Sequence, residues 1–173
     1  MISVLSIPLD ENSSFIKGCA NGPYAIKKAF YSESSNMFSE NGYNCADKKQ
    51  VLYLDNFELK SGKYAIEKIQ NTVEKELSKK NKVISIGGDH SITYPIIEAY
   101  SNYYESLNIL HFDAHPDLYN NFDNNPYSHA SPFARIMEKS LVKRLVQIGI
   151  RTVNNHQREQ VEKFNVEVIE MKD

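Results

Sequence analysis

Short apolar runs alternate with amphipathic segments from one end of the chain to the other, and this alternation constrains the fold more than any other feature. Residues 2–7, 51–54, 83–86, 109–112, 145–150 and 166–171 read as strands, the second closing at Asp55-Asn56. Between them lie helix patterns. Asn21-Gly22-Pro23 opens one over 24–31, with proline in its first turn. Ser61 caps the next, where Ile66, Ile69, Val73 and Leu77 recur at helical spacing. Others span 92–104, with Pro95 near the start, the stretch from Ser131-Pro132 toward Lys139, and 157–164. Strands separated by helices predict one α/β domain over residues 1–173, a three-layer αβα arrangement with a mainly parallel sheet.

Charge narrows the partners. Twenty basic and twenty-two acidic residues give a net charge of -2 without a long run of either sign, so nucleic acid and anionic membrane are poor partners. Cys19 and Cys45 have no metal-type spacing, and the N-terminus lacks a basic segment ahead of its short apolar run. No stretch approaches transmembrane length. These features point to the cytoplasm.

The chemistry gathers after two strands. Asp-Ala-His-Pro-Asp fills 113–117, directly after an apolar run. Residues two apart on a strand and its extended exit point the same way, so Asp113, His115 and Asp117 are expected to converge beyond the strand tip. In open parallel sheets that rim is where ligands bind. Oxygen and nitrogen donors without a thiolate favour a hard or borderline divalent ion such as manganese. The plainer alternative is a polar turn in which Asp113 caps and His115 is solvated.

Gly87-Gly88-Asp89-His90-Ser91 adds a second cluster. Paired glycines permit a sharp turn or a close backbone approach. Asp89 or Ser91 can cap the following helix while His90 ligates. His129, in Tyr127-Ser128-His129-Ala130-Ser131-Pro132, reads alone as a surface histidine near a helix start. It could shuttle a proton if the Asn-rich loop before it folds back over the site. His111 is assigned to packing beside the site and His156 to solvent.

Together these residues carry a resemblance. Residues 8–15 and 22–26, Gly87-Gly88-Asp89-His90-Ser91, Phe112-Asp113-Ala114-His115-Pro116-Asp117, residues 128–133 and Gln147-Ile148-Gly149-Ile150-Arg151 follow one another as in the ureohydrolase family of arginase and agmatinase. The chain resembles agmatinase-type members most. The resemblance implies hydrolysis of guanidino carbon–nitrogen bonds at a binuclear manganese (Mn2+) centre, with release of urea. It implies that His90, Asp113 and Asp117 hold one ion. Asp113, bridging, and His115 would hold the other, and His129 would relay protons to the leaving amine.

Family members continue past the point where this chain ends, with a further Asp-x-Asp pair and an acidic residue for the guanidinium. No Asp-x-Asp occurs between Met1 and Asp173. The match is thus expected to be to an arginase-like fold lacking its C-terminal strands. In the family those strands lie in the middle of the sheet, so their loss is expected either to leave a gap or to let the two halves close up. This polypeptide alone is then expected to bind one metal weakly and to catalyse little. A homo-oligomer, or association with a chain supplying the rest, would complete it. The loop 119–128, with Asn120, Asn121, Asn124 and Asn125, is neutral and points to a decarboxylated guanidino substrate such as agmatine. Arginase, formimidoylglutamase and guanidinobutyrase activities are the near rivals. The other class of reading is a non-catalytic remnant or subunit acting as a structural or interaction protein.

Overall fold

The computed structural model describes residues 1–54, 59 and 61–173, so Asp55 and Asn56, read as the end of the second strand, lie outside the described residues. The chain divides into two compact units, one of residues 1–11 and 15–89, the other of residues 12–14 and 90–173. The strands form two three-stranded parallel sheets where the sequence pattern predicts a single one. The alternation of strands and helices gives the single sheet, whereas the resemblance implied a gap in its middle, and the division into two sheets is in line with the latter.

In the first unit, β1 (Ile2–Ile7), α1 (Gly22–Phe30), β2 (Val51–Leu54), α2 (Lys63–Ser78) and β3 (Lys82–Gly87) follow in order. The sheet runs β2-β1-β3, with Val4 opposite both Tyr53 and Ile84. The central β1 is buried on both faces, which is why it reads as a continuous apolar run. α2 buries Ala65, Ile69, Val73 and Leu77, one stripe at helical spacing; Ile66, read as part of that stripe, is only half-buried. Ser61 does not cap it. Gly62 stands at the cap with φ 67° and donates its N–H to Glu11 Oε1 at 2.6 Å.

Beneath α2 lies a buried polar cluster. Ser3 Oγ donates to Glu76 Oε2 at 2.6 Å, and Asn81 Nδ2 donates to the same oxygen at 3.0 Å and to Ser3 Oγ at 3.1 Å. Lys79 Nζ closes the cluster on Glu76 Oε1 at 2.5 Å. At the end of β3 the Gly88 N–H donates to Ile7 O at 3.1 Å and the Asp89 N–H to Leu9 O at 2.7 Å. A Cβ at Gly88 would overlap the Leu9 carbonyl, so the glycine serves a close approach of two backbones.

In the second unit a 3-10 turn, His90–Ile92, leads into α3 (Thr93–Tyr103). β4 (Asn108–Phe112), α4 (Pro132–Glu138), β5 (Arg144–Ile150), α5 (Asn155–Lys163) and β6 (Glu167–Glu170) follow. The sheet order is β4-β5-β6, with His111 opposite Gln147. Successive right-handed crossovers in one direction place their helices on one face of the sheet. Burial agrees: His111, Leu145 and Gln147 are buried, whereas Leu110 and Phe112 on the other face are 57% and 68% exposed. No side chain caps α3 itself, whose N-cap is Ile92 at the end of the 3-10 turn. α5 begins two residues earlier than its apolar pattern suggests, capped by Asn154 Oδ1 accepting from the Gln157 N–H at 2.9 Å. No helix among the described residues is long and apolar enough to cross a membrane.

Candidate metal centre

The second unit brings the carboxylates and imidazoles together at the C-terminal end of β4. Asp113 follows the last residue of that strand, and its Oδ1 accepts the backbone N–H of His115 at 2.9 Å. This Asx-type turn bends the chain at once. Asp117 then adopts φ 50°, a left-handed conformation that aspartate tolerates better than most residues. The convergence expected from residues pointing alternately along an extended exit is therefore achieved by other means. A turn and a left-handed residue aim the side chains.

Asp113 is the hub. Its Oδ2 lies 4.0 Å from His90 Nδ1 and 3.5 Å from His111 Nε2, while Oδ1 lies 3.5 Å from His115 Nδ1. His90 Nδ1 also meets Asp117 Oδ2 at 2.7 Å. Phe133 of α4 packs on the His111 ring, centroids 4.2 Å apart, and on His90 at 5.6 Å. Burial works to raise the Asp113 carboxyl. The backbone N–H of His115, the rings of His111 and His90, and the Ala114 N–H outweigh it and hold the group below the ordinary aspartate value. His111 is held below the ordinary imidazole range, first by burial and then by His90.

His129 lines the same cleft of about 510 Å³ as His90, Asp113, His115 and Asp117. Its Nε2 meets Ser14 Oγ at 2.8 Å and its N–H donates to Asn12 O at 3.3 Å. Asn12 Nδ2 donates to Ser91 Oγ at 3.0 Å, and Asn125 Nδ2 donates to Asn12 Oδ1 at 2.8 Å. Residues 12–14 thus strap the His129 loop to the turn that carries His90. Arg135 of α4 holds the same loop, donating to Asn120 O at 2.8 Å and Pro126 O at 2.7 Å. The Asn120 side chain accepts from Gln160, so two of the four asparagines read as facing the substrate bind the scaffold instead.

The donor set fits a divalent cation. Carboxylates and imidazoles without a thiolate suit manganese-like ions, and among the described residues His90, His111 and Asp113 each offer a ligand atom within 4.8 Å of the others. His90, Asp113, His115 and Asp117, singled out by the motifs, line one cleft, whereas the motifs give no role to Ser14, Asn12 or Gln147. The signal for Gln147 was available: an amide in a strand otherwise apolar on its buried face. His156, read as solvated, is half-buried and stacks on Tyr119 with centroids 5.6 Å apart.

The Arginase family model matches residues 1–173. The chain belongs to the arginase family. It is similar to the mitochondrial arginase of Medicago truncatula, 40% identical over 98% of this chain and 53% of that protein. A solved structure of an arginase from Medicago truncatula, 40% identical, superposes with a TM-score of 0.88, covering 99% of this chain and 57% of the other. The agmatinase of Blochmanniella floridana is 34% identical over 86% of this chain and 50% of its own length. The chain therefore spans about half the length of the curated relatives it matches. The mixed α/β architecture with parallel sheets is that of arginase-like structures. The leaning toward agmatinase-type members is not the stronger likeness, since the arginase has the higher identity.

Proposed function

We propose that the whole protein hydrolyses the guanidinium group of a small linear substrate, arginine ahead of agmatine, and releases urea. The observation that carries this is the Asp113 carboxylate set between His90, His111 and His115 in a cleft of about 510 Å³. His90, Asp113 and Asp117 would hold one manganese ion; Asp113 and His115 would hold the second. Bound there, such ions supply a water of lowered pKa and polarise the substrate.

The chain's own residues do the rest. Asp113 orients through three imidazoles and two backbone N–H groups. His129, held at Nε2 by Ser14 on the cleft wall, would give a proton to the departing amine. The neutral loop that favoured agmatine loses weight, because Asn120 and Asn125 spend their amides on Gln160 and Asn12. The likeness to a plant arginase supports arginine instead.

The test is product release by the whole manganese-loaded protein, read as urea from arginine and agmatine and as formamide from formimidoylglutamate. Arginine is expected to give the highest kcat/KM. Absence of urea and of formamide, with manganese bound, would overturn the enzyme reading.

A further inference from the structure

Gln147 is fully buried in the middle of β5, between neighbours that pack apolar side chains, and a buried amide in a strand calls for an explanation. Its Nε2 lies 2.7 Å from Pro116 O and 3.2 Å from His111 Nδ1. A peptide carbonyl only accepts, so the end of the amide facing Pro116 must be the NH2 group. That fixes the orientation of the amide without relying on how its O and N were placed. The second N–H of the same nitrogen then faces His111 Nδ1, which must present its lone pair. In a neutral imidazole the proton is consequently on Nε2. Nε2 is itself buried, makes no hydrogen bond, and lies 3.5 Å from Asp113 Oδ2.

We infer that Gln147 is a positioning residue: by engaging His111 Nδ1 it fixes the ring proton on Nε2, so that His111 steers the Asp113 carboxylate and is not itself a metal ligand. Of the three residues clustered within 4.8 Å, two are then left to ligate. A closure of roughly half an ångström would turn the Nε2 to Oδ2 approach into a charge-assisted hydrogen bond. The cost is visible in Gln147 Oε1, which is buried without a partner. The Pro116 contact does a second job, tying β5 to the peptide that precedes Asp117.

The inference rests on the proposed metal centre, and its first test is independent of metal. Long-range proton–nitrogen NMR of the metal-free wild-type chain reads the His111 tautomer directly. The Nε2–H form is expected, and an Nδ1–H form overturns the inference. Gln147→Glu offers His111 only an acceptor and should move the proton to Nδ1; an unchanged tautomer overturns it as well. Manganese titration of folded Gln147→Leu should show affinity lowered roughly 10–100-fold, the range for loss of a group that orients a ligand. Equal affinity overturns the steering role. Wild-type chain with the Nε2–H tautomer that takes up no manganese at all overturns the metal centre instead, which separates the two failures.

Discussion

Two buried polar clusters, one in each unit, are built on opposite plans. In the first, Glu76 accepts from Ser3, Asn81 and Lys79, and Ser3 in turn accepts from Asn81. In the second, Gln147 reaches Pro116 and His111, but His111 Nε2 and Gln147 Oε1 are left without hydrogen bonds. Among the described residues, all four buried side-chain atoms lacking a partner belong to the second unit. The closed network fixes a helix on a sheet; the open one turns His111 Nε2 toward Asp113 and bears the cost of an unpaired Gln147 Oε1. The difference teaches that the polarity of a buried group says less about its role than whether its hydrogen bonds are complete.

Replacing the centre of each network should separate these roles. Glu76→Ala strands the Ser3 hydroxyl and the Asn81 amide, and should cost about 3 kcal/mol in denaturant unfolding while leaving manganese uptake unchanged. Asp113→Ala should do the reverse, weakening manganese binding at least about a hundredfold in calorimetric titration with little change in stability. If both variants lost stability alike, the contrast between closed and open networks would fail.

Acid sharpens the comparison next. Burial opposes ionisation of Glu76, but the hydrogen bonds from Lys79, Ser3 and Asn81 outweigh it and hold the carboxyl low. Its stabilisation is full above the unfolded-state pKa of about 4.3 and is lost as pH falls through the lower folded value. His111 acts in a higher window. Its folded pKa is lowered, so below about pH 6.5 the unfolded chain binds more protons than the folded one, and stability falls with pH. Thermal unfolding followed from pH 7.5 to 3 should show two successive losses, with His111→Phe removing the upper one. The smallest effect is expected from Ser14→Ala. It should change stability by less than about 0.5 kcal/mol, yet free the His129 ring, which NMR relaxation would detect as faster motion.

The sequence was legible where local chemistry decides. The run at 2–7 became β1 with the same limits, and Gly88 proved to be the close backbone approach that its motif suggested. Asp113 and Asp117 were named correctly as neighbours of His90, although their route there was not. A left-handed φ at Asp117 cannot be read from residue type, because aspartate adopts several turn conformations. Strand periodicity does not give pairing register, so the break into two sheets was anticipated only by the resemblance, which implied a gap in the middle. The Gln147–His111 contact also needs that register, which sets the two residues opposite each other 36 positions apart.

The exposed face of the second sheet has a practical consequence. Leu110, Phe112 and Ile169 stand 57%, 68% and 46% exposed, and register places Phe112, Ile148 and Ile169 side by side across three strands. Handled by itself in dilute buffer, the polypeptide should brighten a fluorescent dye such as anilinonaphthalene sulfonate without any loss of secondary structure. Salting-out agents should precipitate it early, and a charged residue at position 112 should delay that precipitation.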